Sequence, residues 1–362
     1  MKKKLIKFLI VLYIVCFAGA GLLGKQAFAE DNKLDSGSFT YEVNHPENQK
    51  STAGYFDLLM KPSQKQTVSI TLKNPSDKKE VTVRADLSSA KTNANGVLEY
   101  GPAAIENDAS LKYDFTEIVK GPKEVTLAPK EEKKLELEIT MPTEQYDGFI
   151  VGGIQLTVKP TKEAEAEKKK QQGIANNYAF IIGMLLSESD AVVPAELTLN
   201  KVSAGLSNYR NAVFASISNT EMGFMKDMTI DMQVMAKGSD EVLYDTKKAD
   251  MRMAPNSKID FPLAMNGDEM VAGDYIAHIL AKSGDRKWEW TEDFEITKEE
   301  ADKYNKQDVT LTQERGINWQ LIAMIVAGVV IFAVVIFIIV HQVNKKKAKK
   351  RKKGKKKSSN KK

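Results

Sequence analysis

Outside its apolar ends the chain holds only two imidazoles, His45 and His278, so any general-base chemistry must start from them. The third histidine, His341, directly follows the apolar run 319–340, and the one cysteine, Cys16, lies in the N-terminal apolar stretch. No G-x-S-x-G, no H-E-x-x-H and no S-x-x-K with its partner motifs is present. Acids number 48, which leaves a carboxylate pair for glycoside cleavage open in principle. Acids alternating along exposed strand faces, however, read as a solvated surface. Asp31-Asn32-Lys33-Leu34-Asp35 lacks the Gly and the terminal Glu of a calcium loop. His278 falls inside the strand pattern of residues 275–281, where a hydrogen-bonded structural role fits, and the methionines of 222–235 read as packing. No catalytic residue, metal or cofactor is expected. The chain reads as a binder.

Two groups of residues suit recognition. The segment 88–120 carries Asn93, Asn95, Tyr100, Tyr113 and Phe115. Aromatic faces suit sugar rings, and amides suit hydroxyls and peptide groups, so these five are candidate ligand contacts. The competing reading makes Asn95-Gly96 a tight hairpin turn and sends Tyr113 and Phe115 into the core. Farther on, Trp288 and Trp290 stand two apart and share one strand face. That face is either core or a partner surface, and the same parity in Phe294 and Ile296 favours core.

The elements that must position these residues are strands. Val68, Ile70 and Leu72 alternate with polar neighbours, as do Val81, Val83 and Ala85. Leu135, Leu137 and Ile139 repeat the pattern, followed by Ile154, Leu156 and Val158, and then Met228, Ile230, Met232 and Val234. Period two puts one side-chain set on a core and the other in water. Turn signals at Asn74-Pro75, Asn95-Gly96 and Gly121-Pro122 separate the runs. An all-β fold of two Ig-like sandwiches in tandem is predicted, over 34–160 and 173–310. An internal duplication agrees: Leu127-Ala128-Pro129 answers Met253-Ala254-Pro255, with the prolines 126 apart. Asn74-Pro75 answers Asn219-Thr220 at a spacing of 145, which leaves about 19 extra residues in the first unit, within 88–120. The charged stretch 161–172 reads as a linker or loop. Residues 178–186 read as a buried strand; if that strand pairs with 153–159, the junction moves to Val193-Pro194.

The ends set the topology. Residues 319–340 form a run of 22 without a charge, and 345–362 hold 13 Lys or Arg and no acid. Such a run spans about 33 Å as a helix, enough for a hydrocarbon core of about 30 Å. The basic tail 341–362 is then cytoplasmic. At the other end, Lys2, Lys3, Lys4 and Lys7 precede an apolar stretch and Ala27-Phe28-Ala29, a signal-peptide pattern over 1–29. The two ends hold 18 of the 53 basic residues, leaving 35 against 48 acids, a net −13 for residues 30–318. A nucleic-acid partner is therefore not expected. The expected location is the cell membrane, single-pass, with the N-terminal part outside. An inner segment of 22 residues leaves little for a sensing ectodomain to signal through, so a scaffold is favoured over a sensor, and a wall-acting hydrolase comes third for want of a catalytic motif.

Several segments resemble the WxL-interacting proteins of Gram-positive bacteria. Phe39-Thr40-Tyr41, Tyr55-Phe56-Asp57-Leu58, Lys61-Pro62-Ser63-Gln64 and the stretch from Thr92 through Asn95-Gly96 to Tyr100 resemble their first domain. Asn177-Tyr178-Ala179-Phe180-Ile181-Ile182-Gly183, Ala272-Gly273-Asp274-Tyr275 and Trp288-Glu289-Trp290 resemble their second. The resemblance implies an Ig-like peptidoglycan-binding domain, then a domain that binds host proteins, and association with WxL proteins. It assigns no individual binding residue. Trp319-Gln320-Leu321 spells W-x-L once, at the start of the apolar run, and reads as an interfacial anchor. No LPxTG-like signal precedes that run.

Overall fold

The computed structural model describes residues 39–160, 178–311 and, within 322–341, residues 322–332, 334, 336–338 and 341. The expected signal segment 1–29, the charged stretch 161–172 and the tail from 342 lie outside the described residues, as does part of 319–340. Strands are numbered in chain order. In the first unit, one sheet runs β1 (Thr40–Asn44), β3 (Lys65–Lys73), β9 (Glu132–Thr140), β7 (Val119–Lys120). The other runs β2 (Phe56–Leu59), β11 (Ala179–Ser187), β10 (Ile150–Val158), β4 (Val81–Ser89), β8 (Glu124–Leu127). All pairings are antiparallel except β2 with β11.

Alternation dictates the layering. On β3 and β9, Ile70 stands opposite Leu135 and Val68 opposite Leu137, all buried, while Glu136 and Glu138 face water. Val83, Ile154, Leu156, Ile182 and Met184 of the second sheet belong to the same core. Two sheets closed over one apolar layer make a sandwich. β11 pairs with β10 along its length, from Ile150 with Leu186 to Thr157 with Ala179. The expected division at 161–172 therefore does not separate the sheets; β11 belongs to the first unit, and the change comes between Ser187 and Leu197.

The second unit repeats the plan. One sheet is β12 (Leu197–Ser207), β13 (Arg210–Asn219), β16 (Ser257–Ala264); the other is β15 (Val242–Met253), β14 (Met225–Ala236), β17 (Gly273–Ser283), β18 (Arg286–Ile296). Met228, Ile230, Met232 and Val234 point into a core shared with Ile217, Ile259 and Phe261, so the methionines pack. The duplicated marks touch in the same way in both units. Asn74 Nδ2 donates to the carbonyl of Ala128 at 3.0 Å, and Asn219 Nδ2 donates to that of Ala254 at 3.0 Å. Each buried asparagine ties one strand end to the turn before a proline, which satisfies carbonyls that would otherwise be stranded.

A helix, Lys298–Gln307, closes this unit; Thr297 and Glu300 form its capping box. Residues 322–332 are also helical, with Ile325, Ile331 and Phe332 59%, 64% and 67% exposed. Among the described residues no helix is long and apolar enough to cross a membrane.

Candidate functional site

The segment 88–120 is a bridge between the sandwiches. Its hairpin, β5 (Lys91–Thr92) with β6 (Leu98–Glu99), turns at Asn93 to Gly96. Asn93 Oδ1 accepts from the backbone N–H groups of Asn95 and Val97, and its Nδ2 donates to Glu99 at 2.6 Å. The tip lands on the second sandwich. Lys248 Nζ donates to Asn95 Oδ1 at 2.8 Å, and the Arg252 N–H donates to the Gly96 carbonyl at 2.8 Å. Thr92 Oγ1 meets Ser257 Oγ at 2.7 Å and accepts from the buried Ala254 N–H at 3.0 Å. Ala90, Val151 and Ala254 form a small apolar cluster there, joined by Leu98, Tyr100, Phe149 and Phe224. The amides expected to read a ligand are thus engaged, Asn93 in its own turn and Asn95 in the clamp.

Below the hairpin, Asp108 accepts from Ser218 Oγ of the second sandwich at 2.7 Å. Burial alone would raise the Asp108 carboxyl; the Ser110 and Ser218 hydroxyls outweigh it and hold the group below its ordinary range.

Phe115 opens a single helical turn capped by Asp114, which also accepts from Ser89 Oγ at 2.8 Å. Its ring is 0% exposed and lies on Gly152, where a Cβ would come within 2.1 Å of it. The expectation of Phe115 as a ligand contact is corrected: the ring is core. Tyr113 is half-buried, its ring 5.5 Å from that of Tyr146.

Tyr100 alone of the five borders an open sheet face. The outward positions of β11 and β10 include Ile181, Gly183, Gly153 and Gln155. Gly153 and Gly183 are cross-strand partners, and the Tyr100 backbone passes over the first: a Cβ on Gly153 would meet the Tyr100 carbonyl at 2.3 Å. The Tyr100 ring and Tyr55 both lie 3.8 Å from where a Gly183 Cβ would stand. Tyr55 is 38% and Ile181 47% exposed. Gln49 fixes the approach to Tyr55, donating to the Tyr55 carbonyl at 2.9 Å and accepting from the Asp57 N–H. Burial, then the neighbouring Tyr55, pushes the Tyr100 phenol up, so it is neutral at physiological pH. Two tyrosines over a glycine floor, with an isoleucine and the Gln155 amide beside them, present apolar faces edged by hydrogen-bonding groups. Tyr55 and Gln155 were missed in the sequence; Tyr55 sits among its quoted motifs, but nothing local signals that it meets Tyr100.

In the second unit, Trp288 and Trp290 pack against the core. Trp288 Nε1 donates to Glu196 at 2.8 Å, and the Arg286 guanidinium stacks 4.5 Å above its ring. Their rings therefore follow the core reading. His278 Nε2 lies 2.9 Å from Glu289 across β17 and β18. Among the described residues no group of three or more His, Cys, Asp or Glu is placed to hold a metal ion.

No curated protein matches the chain. Among solved structures, the YadV chaperone is 12% identical, covering 72% of this chain and 100% of its own, at a TM-score of 0.27. The E. coli chaperone DraB is 12% identical, covering 72% and 98%, at a TM-score of 0.25. Scores this low support no inference. Family models are informative: residues 39–158 match the peptidoglycan binding domain of the WxL Interacting Protein, and residues 169–306 match its host binding domain. Together they take in both sandwiches, the second match including β11, which pairs into the first sandwich, and the chain belongs to the WxL-interacting protein family.

Proposed function

We propose that this chain is a non-enzymatic scaffold of the cell surface, anchored in the membrane through 319–340, which grips peptidoglycan with its first sandwich and engages WxL proteins and host extracellular proteins. The matched domain descriptions support the two binding roles. The family name supports the WxL partner. The charge asymmetry between residues 30–318, at −13, and the 13 basic residues of 345–362 supports the anchor and its direction.

The observation that carries wall binding is the open face of Tyr55, Tyr100, Ile181 and Gln155. Sugar rings present C–H faces that lie on aromatic rings, while amides bond the hydroxyl and N-acetyl groups at their edges. The purified full chain in detergent is expected to co-sediment with wall sacculi, and Tyr55→Ala with Tyr100→Ala to weaken this about tenfold or more. Unchanged pelleting of the double variant would move the site elsewhere. For the anchor, protease added to intact protoplasts is expected to remove the sandwiches and leave a fragment containing 319–362. Protection of the sandwiches would reverse the topology.

A further inference from the structure

We infer that the cleft between the two sandwiches is a second binding site, for a short peptide that carries both a carboxylate and an ammonium group. The peptide stems of the wall polymer have this chemistry; that source rests on the wall-binding reading above, whereas the site itself does not. The cleft encloses about 570 Å³, within the range of small-ligand pockets. Three segments line it, with Val193 and Asn256 beside them: Ala109 to Lys112 of the bridge, Gln145 to Asp147 of the first sandwich, and Thr220 to Met222 of the second.

Its walls are fixed before any ligand arrives. At the base, the Phe149 N–H donates to the Met222 carbonyl at 2.9 Å. Gly148, at φ +94°, permits this approach, because a Cβ there would stand 2.5 Å from that carbonyl oxygen. On the far side, Asn256 Nδ2 donates to the Thr220 carbonyl at 2.8 Å. Buried Tyr146 and Met222, with Leu111, make an apolar floor, and the Tyr146 hydroxyl is spent on the Leu186 carbonyl at 3.1 Å.

Against this floor stand three side chains without a hydrogen-bonding or ion-pair partner among the described residues: Lys112, Gln145 and Glu221, all exposed. Among the described residues the Lys112 ammonium contacts the face of Tyr113, 5.2 Å away. One cation, one unpaired anion and one amide on separate segments match a peptide's carboxylate, ammonium and backbone amide; the second anion of the cleft, Asp147, accepts from Ser189 Oγ at 2.5 Å. Charged hydrogen bonds are the strong ones, which gives each end its own recognition. A neutral glycan alone would leave Lys112 and Glu221 unused.

The test is calorimetric titration of the full chain in detergent with the tripeptide Lys-D-Ala-D-Ala, beside co-sedimentation with intact sacculi and with sacculi stripped of peptide by an amidase. Binding of the tripeptide is expected, weakened about tenfold or more by Lys112→Glu and by Glu221→Lys. No tripeptide binding, or binding indifferent to both charge reversals, overturns the inference even if the chain still pellets with stripped sacculi. Tripeptide binding by a chain that ignores both kinds of sacculi would support the cleft and remove the wall as its source.

Discussion

Replacing Phe115 with alanine is expected to lower the unfolding free energy by about 3–5 kcal/mol, read from urea titration of the full chain. The ring is 0% exposed and belongs to the first sandwich's core. Its bed is Gly152, one strand position from the glycine under Tyr100, and a Cβ there would meet the ring at 2.1 Å. The surroundings are strands β4 and β10, held by paired ladders on both sides, so little can collapse into the space. Losing the ring also frees the turn that Asp114 caps and Ser89 holds. That turn closes the bridge. The same substitution separates packing from recognition: a ligand-contacting phenylalanine would cost wall binding and leave stability within about 0.5 kcal/mol of the parent. A loss below about 1 kcal/mol would return Phe115 to the candidate contacts.

Residues whose role follows from parity were legible in the sequence, and those whose role depends on distant contacts were not. Period-two runs mark β3, β4, β9 and β10 of the first sandwich and β14 of the second, because alternation is a local property set by which face meets the core. Parity likewise tied Trp288 and Trp290 to Phe294 and Ile296, and all four pack on one core. The Asn-to-Ala-Pro repeat is visible as spacing, although its meaning, a side-chain amide reaching a carbonyl in each unit, depends on a contact between residues more than 30 apart. The helix Lys298–Gln307 went unread, though Thr297 and Glu300 are spaced as a capping box.

The bridge is the opposite case. Asn93, Asn95 and Thr92 look like any polar hairpin, and the hydroxyl that Thr92 meets lies 165 residues away in Ser257. No window of sequence contains both. The glycines of β10 and β11 were equally silent. A glycine in a strand announces that something approaches closely, without saying that Tyr100 passes over Gly153 or that Tyr55 joins it at Gly183.

Gly96→Val is expected to undo the bridge and to split the unfolding of the full chain into two calorimetric transitions. Gly96 has φ +71°, a left-handed conformation that costs an ordinary residue about 1–2 kcal/mol and a β-branched one more. A Cβ there would also lie 2.4 Å from the Cβ of Met251, a residue only 1% exposed. Because that neighbour is the root of a side chain on β15 and not a flexible tip, the hairpin must give way. Overpacking of this kind adds about 1–3 kcal/mol. Lifting the tip breaks the Arg252-to-Gly96 bond and the Lys248-to-Asn95 bond, and withdraws Thr92 from the buried Ala254 N–H. The hydrogen bonds lost lie outside both apolar layers, whereas Met251, against which the new side chain presses, belongs to the second core, so the second unit is expected to melt at the lower temperature. The coupling is then reduced to bonds such as Asp108–Ser218 and Phe149–Met222, and the first and second units are expected to melt separately. Ala94→Val, on the exposed side of the same turn, is the control and should leave one transition. A single transition at the parent temperature in Gly96→Val would show that the bridge does not couple the sandwiches. Two transitions together with weakened tripeptide binding would show that the clamp also holds the cleft in shape, because Ser110 to Lys112 reach the cleft only through the bridge.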